Sequence, residues 1–344
     1  MQKEQTNIKG GKGRRIWGVT WRVLCGVLVF ICTAVFAFVV VDRIRFRAFY
    51  QRAESTLAMP GIHSGYVPQG FDYDTDRGLF LSTGYMSNGK ASRVYVMDGE
   101  GGEYHAALAN ADGSAYTGHT GGIVHNGDYV YVTGDNGLDV FAYQDILAGN
   151  TAKKVGEIRA YINPAYCYIA DGYLLTGSFY REGNFETADY ERMETPCGEK
   201  NTALITVFKL DEGADFGVNP TPCAVISTRG LAQGMCITDS GKIILSTSYA
   251  LAASKLFVYD SAKLQVEENY VFSGKTKDGL PFSLDVKRVF LDGNSLVDVI
   301  KAPAMSEELV YLDGKIYIMN ESACNKYIFG KLTSGLKVYA YPYV

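Results

Sequence analysis

The chain is poor in proline. It has 9 prolines against 38 glycines in 344 residues, a balance that suits short strands and tight turns better than long helices. Basic charge is not in excess: 33 Lys and Arg stand against 37 Asp and Glu, a net charge of −4. That gives nucleic acid no basic face to bind, and no nucleic acid partner is expected. Histidine is scarce, at 4 residues. His119 and His125 come with no His-x-x-x-His spacing and no carboxylate clamp, so neither a metal nor a cofactor is expected. Both tryptophans, Trp17 and Trp21, fall in the N-terminal apolar run. Of the 7 cysteines, Cys25 and Cys32 lie in the same run. The odd number beyond it does not spell a complete disulfide framework. Cys197 has two pairing options, Cys223 and Cys167. The alternative is that Cys167 and Cys236, inside apolar strands, are simply small buried side chains.

What the chain does have begins with that apolar run. From Trp17 to Val41 it reads WGVTWRVLCGVLVFICTAVFAFVVV, with Arg22 its one charge, near enough to the start to snorkel. A helix of this length crosses a hydrocarbon core of about 30 Å. Lys3, Lys9, Lys12, Arg14 and Arg15 precede it, and Arg43, Arg45 and Arg47 follow. The balance slightly favours the N-terminus inside. A cleavable signal peptide would have a shorter apolar core and a small-x-small cleavage site. This run is long and ends in DRIRFR. The expected division is a cytoplasmic basic tail over 1–16, a transmembrane signal anchor over 17–41 and a juxtamembrane linker over 42–58, helical to about Ala58. An extracytoplasmic β domain then fills 59–344.

That β domain repeats itself. Gln69 to Asp98 reads QGFDYDTDRGLFLSTGYMSNGKASRVYVMD, and Gln233 to Asp260 reads QGMCITDSGKIILSTSYALAASKLFVYD. Each has Gln-Gly, an apolar strand, a turn, a strand ending Ser-Thr-x-Tyr, and a third strand closing on Asp. Looser copies open near His119, Ala165 and Met305, with Asn126-Gly127, Asp171-Gly172 and Asp313-Gly314 in the turn slot. Asx-Gly pairs favour type I′ hairpins because both central residues need positive φ. Fourth strands are read in EYHAALA, KKVGEIRA, PCAVIST and LVDVIKA. Repeated modules of three or four antiparallel strands predict a propeller. The direct count is an all-β, five-bladed β-propeller after one N-terminal transmembrane helix. The count becomes six if Val286–Ile300, VKRVFLDGNSLVDVI, holds a degenerate module. The last module runs out of chain, so the segment GIHSGYV before Gln69 is expected to supply its outer strand.

A propeller turns these openings into a site. The leading residues of the inner strands emerge at one mouth, which gathers Gln69, His119, Gln233 and Glu307 or Glu308, with Tyr166 in the third module's slot. Strand alternation lets only one of the two glutamates face the axis. Loops between second and third strands rise at the same face and bring Tyr85, Tyr249, Asn325 and Lys326, with Glu321 beside them. Polar groups converging in a concavity edged by loops are a binding-site signal. His119 with Glu307 or Glu308 is the candidate catalytic set, since a histidine beside a carboxylate can do acid–base work.

At QGFDYD, LFLSTGY and SRVYVMD, and again at SEELVYLDGKIY, the chain resembles plant-type glutaminyl cyclases. The resemblance implies a five-bladed propeller. The acidic residue that pattern places before Ser-Thr-Gly is Leu81 here, and the pocket tryptophans are absent from the β domain, so the resemblance speaks to fold and not to cyclase activity. The chain also looks like a broader group of uncharacterised membrane-anchored extracytoplasmic propellers of bacteria. Three functions follow from these observations. The first is binding of a small molecule, peptide or glycan at the mouth. The second is a cell-surface enzyme acting on peptide or glycan, glutaminyl-cyclase-like, hydrolase or lyase. The third is a scaffold holding another envelope protein.

Overall fold

Gly11–Arg45 forms a single helix in the computed structural model, which describes residues 11–327 and 329–343. Lys3 and Lys9 of the basic tail, and Val344, lie outside the described residues. Val19–Arg45 reaches a mean hydropathy of 3.0 with its apolar side chains exposed. A helix apolar on every face is built for lipid or for a large core, and this one is long enough to cross a membrane.

A short helix, Arg47–Arg52, precedes the first strand, Glu54–Ala58. The helix expected to continue to about Ala58 therefore stops at Arg52. Tertiary pairing overrides local preference here. Glu54 and Ser55 lie opposite Ala340 and Tyr339 in antiparallel register, and Thr56 Oγ1 donates to the Val338 carbonyl at 3.0 Å. This strand, rather than the segment around Gly61, completes the last sheet.

Four-stranded antiparallel modules follow one another. The first contains Tyr66–Asp74, Leu79–Met86, Arg93–Met97 and Glu103–Ala109, and the second Ile123–Asn126, Tyr129–Thr133, Gly137–Ala142 and Thr151–Arg159. The third contains Pro164–Ala170, Tyr173–Ser178, Ala203–Lys209 and Ala224–Thr228. The fourth contains Ala232–Ile237, Lys242–Thr247, Ser254–Asp260 and Leu296–Ala302. The fifth contains Ser306–Leu312, Lys315–Asn320, Lys337–Pro342 and the early strand Glu54–Ala58. All the fourth strands read from sequence take that place. Asp171-Gly172 and Asp313-Gly314 have positive φ at both residues, as a type I′ turn requires. Val286–Ile300 forms no module of its own. It is divided between a long hairpin, Gln265–Lys275 with Pro281–Phe290, and the last strand of the fourth module. That hairpin lies parallel against the outer strand of the third module. A short helix, Tyr143–Leu147, adds helical structure beyond the N-terminal segment.

The innermost strands pack first on second, second on third, and so on, with the fifth returning to the first. Glycines permit that ring. A Cβ on Gly70 would lie 2.7 Å from Ile123 N, one on Gly122 2.7 Å from Cys167 N, and one on Gly234 2.4 Å from Glu308 Cα. These are backbone atoms that cannot swing away, so glycine is required for the approach. The fifth module places Glu308 in the equivalent slot. Its carboxylate is fully buried and accepts the N–H of Phe71 at 2.8 Å, of Ile123 at 3.0 Å and of Cys167 at 2.9 Å. One side chain thus satisfies backbone donors from three other inner strands. Burial pushes its pKa up, and the three N–H bonds oppose that shift.

No disulfide forms among the described residues. Cys167 and Cys236 are buried on inner strands, while Cys197 and Cys223 are exposed free thiols.

Glu308→Gln would turn an amide N–H₂ toward one of these backbone donors and leave a buried N–H unpaired. We expect a loss of about 3 kcal/mol or more, with Glu308→Ala at least as severe. Urea unfolding measures both. A glutamine variant within about 0.5 kcal/mol of wild type would show that the strands do not depend on this carboxylate.

Candidate functional site

The mouth is built on a repeated register slip. In the first module Pro68 opposes Gly84 and Gly70 opposes Thr83, so Gln69 is an extra, unpaired residue. Gln233 is extra in the same way between Ala232 and Gly234, and Ala165 between Pro164 and Tyr166. In the fifth module Glu307 and Glu308 together face the single residue Met319 between the paired positions. A bulge breaks alternation and re-aims a side chain. This is why both glutamates are buried, at 1% and 0% exposure, where simple alternation would turn one of them away. It also corrects two slots: Ala165, not Tyr166, is the counterpart of Gln69, and Gly121 precedes Gly122 where His119 was expected.

Gln69 and Gln233 both serve the acids of the fifth module. Gln69 Nε2 donates to Glu321 Oε2 at 2.9 Å and to the Pro68 carbonyl at 2.8 Å. Gln233 Nε2 reaches Glu307 Oε1 at 3.5 Å, a long contact for a buried carboxyl. Burial, then the neighbouring charges of Glu321 and Glu308, hold the Glu307 carboxyl well above its ordinary range. Burial pushes Glu321 up to about 7 against the opposing pull of Gln69 and Lys326. The two titrate as a linked pair, one favouring the proton when the other is ionised.

Above the acids lies an aromatic and cationic layer. Lys326 Nζ donates to Tyr85 Oη at 2.6 Å and stands 5.1 Å from the ring centres of both Tyr85 and Tyr327. The Tyr85 ring packs against His119 at 4.9 Å. Burial and the Lys326 charge depress the His119 pKa, which favours the neutral imidazole. His119 is exposed to solvent. Asn325 donates to the His63 carbonyl at 3.2 Å and accepts from Lys331 Nζ at 2.6 Å, which ties the loop to the segment before the first module. Tyr249 is half-buried under the Arg181 guanidinium at 4.0 Å.

Several expectations divide at this point. Gln69, Tyr85, His119, Gln233, Glu307, Glu321 and Lys326 are linked by these contacts. Tyr166 is not among them. It is fully buried in the core between the third and fourth modules, with its ring against Gly177. Among the described residues no hydrogen bond joins His119 to Glu307 or Glu308, so the expected catalytic pair is not assembled. His125 lies farther along the inner strands, where its Nδ1 meets Asp72 Oδ2 at 2.6 Å. Leu81, the position of the acid in the cyclase pattern, is fully buried in the core beside Val94 and Val96. Cys324 and Tyr327, which the sequence did not single out, sit beside the acid pair. Both lie in ESACNKY, Cys324 three residues after Glu321 with its N–H on the Glu321 carbonyl at 3.1 Å, and Tyr327 next to Lys326.

No protein-family model and no curated protein matches the chain. Among solved structures it is similar to the PQQ-bound aldose sugar dehydrogenase of Streptomyces coelicolor, at 11% identity over 83% of this chain and 95% of that one, with a TM-score of 0.42. It is also similar to a gluconolactonase of Xanthomonas campestris, at 10% identity over 84% and 95% with a TM-score of 0.35. A third is BamB of Moraxella catarrhalis, at 10% identity over 81% and 83% with a TM-score of 0.32.

The Glu321 shift from 4.5 to about 7 fixes a pH dependence. Between those values the folded chain keeps a proton that the unfolded chain has released. The stability this confers is complete below about pH 4.5 and falls as pH rises through about 7. Glu321→Gln removes the ionisation and keeps an acceptor for Gln69. Urea unfolding across this range should show the variant gaining on wild type by roughly 3 kcal/mol. Parallel curves for the two proteins would show that Glu321 titrates normally.

Proposed function

We propose that this chain is a single-pass, membrane-anchored, five-bladed β-propeller whose β domain faces away from the cytoplasm and binds a ligand at its central mouth. The domains would then be a basic tail at 1–16, an anchor at 17–41, a linker, and the propeller, its outer closing strand drawn from 54–58. The observation that carries this reading is the convergence of side chains from separate modules on an acid pair with few partners. Gln69 and Tyr85 come from the first module, His119 from the segment leading into the second, Gln233 from the fourth, and Glu307, Glu321 and Lys326 from the fifth. Such a layer is costly for stability, because buried carboxyls without full hydrogen bonding oppose folding. Sites that bear this cost are commonly functional.

Binding is favoured over catalysis because His119 packs on Tyr85 beside Lys326 and makes no hydrogen bond to Glu307 or Glu308 among the described residues. Glu308, the other acid of the expected catalytic set, is fully engaged by backbone donors. The enzyme reading retains one observation, the linked Glu307–Glu321 pair, since a carboxyl with a pKa of about 7 is suited to proton transfer.

The test is thermal unfolding of the full chain in detergent against neutral oligosaccharides, muropeptides, peptides and amines, with Gln69→Ala and Glu307→Ala alongside. A ligand at about 100 times its Kd should add roughly 2.7 kcal/mol, a shift of a degree or more in Tm. The shift should disappear in both variants. A ligand that stabilises wild type and both variants equally would move binding away from the mouth. Turnover of the bound compound would convert the reading to the enzyme.

A further inference from the structure

The mouth already contains a cation, and it belongs to the chain. Lys326 lies on a tight loop with its residue open to solvent, and lysine ordinarily extends into water. Here its ammonium is bound at 2.6 Å to Tyr85 Oη, off the hydroxyl end of that ring, with the ring centres of Tyr85 and Tyr327 each at 5.1 Å. Fixing a long side chain this way costs rotamer entropy, so the position must attract positive charge. Two features supply that attraction: the phenol oxygens of Tyr85 and Tyr327, which accept hydrogen bonds, and the carboxyl of Glu321, which the Lys326 charge draws toward its ionised form. Glu307 adds an independent indication. It is 1% exposed, yet its one hydrogen bond among the described residues is the 3.5 Å contact with Gln233. A buried carboxyl served this weakly is an acceptor with capacity to spare.

We propose that the mouth holds a subsite for a primary ammonium group, occupied here by the Lys326 ammonium, and that a ligand bearing such a group enters by displacing Lys326. This rests on the mouth being the ligand site. The hydrogen bond to Tyr85 selects a primary amine over a fully methylated one, because only the former donates. Asn325 fastens the loop to the His63 carbonyl, and Lys326 beside it is exposed to solvent, so a ligand can replace its ammonium without moving the loop backbone.

The experiment compares n-butylammonium and tetramethylammonium binding to the full-length wild type and to Lys326→Met, by calorimetry in detergent. Thermal unfolding verifies that the variant is folded. The expected result is at least tenfold tighter n-butylammonium binding to Lys326→Met than to wild type. Tetramethylammonium should bind the variant at least tenfold more weakly than n-butylammonium, and Glu307→Gln placed in the Lys326→Met background should abolish the gain. Equal affinity of wild type and Lys326→Met for n-butylammonium, or no binding to the variant, overturns the subsite. If a neutral oligosaccharide meanwhile stabilises wild type but not Gln69→Ala, the mouth stands as a ligand site and only its ammonium assignment fails. If no compound binds in a Gln69-dependent way, both fail.

Discussion

Three backbone N–H groups ending on one carboxylate hold the centre of this protein together. Inner strands that pack side by side around an axis cannot use their neighbours' carbonyls as a flat sheet does, so some N–H groups there have no natural acceptor. Glu308 provides that acceptor for Phe71, Ile123 and Cys167 at once. Gly70 and Gly122 follow from the same requirement, because they let the strands come close enough to be served, and Gly234 lets the fourth inner strand pass beside Glu308. The modules are alike in sequence but not equivalent. One of them carries the acid around which the others are arranged.

The mouth inherits that asymmetry. The bulge that sends Glu308 to the axis also exposes Glu307 to the same interior, and Glu321 joins it from the following loop. The Gln-Gly pair has two separate tasks in each copy: glycine yields space to the next inner strand, and glutamine steadies an acid of the fifth module. Core and site are therefore built from adjacent residues of the same strands. A substitution aimed at one has to be checked for its effect on the other.

Much of the β architecture was legible in the sequence because turn chemistry and alternation are local. Asp171-Gly172 and Asp313-Gly314 announced their hairpins, and EYHAALA and LVDVIKA coincide with outer strands. The bulges were not legible, since alternation assumes unbroken pairing. That assumption misassigned Tyr166 and predicted opposite faces for Glu307 and Glu308. The closing strand was missed for a different reason. ESTLA has no strand signature of its own and takes its form from Lys337–Pro342, a partner nearly the whole chain away. Gln69, Tyr85, Gln233 and Lys326 could be named as candidates because polar residues repeated at module openings and loops are visible without any distance. Which acid each would touch was not.

The pairing of Glu54 with Ala340 also sets a schedule. The strand Glu54–Ala58 is made well before its partner, Lys337–Pro342. Until then the fifth sheet lacks the strand that joins its early outer strand to the pair carrying Glu308. Closure of so long a loop adds an entropic barrier that local hairpins do not face. The earlier modules can assemble in turn as they emerge, but their axis stays open and their backbone donors stay hydrated. Closing of the ring should thus be one event that follows assembly of the earlier modules, and loss of Lys337–Pro342 would leave separate sheets waiting for a clasp.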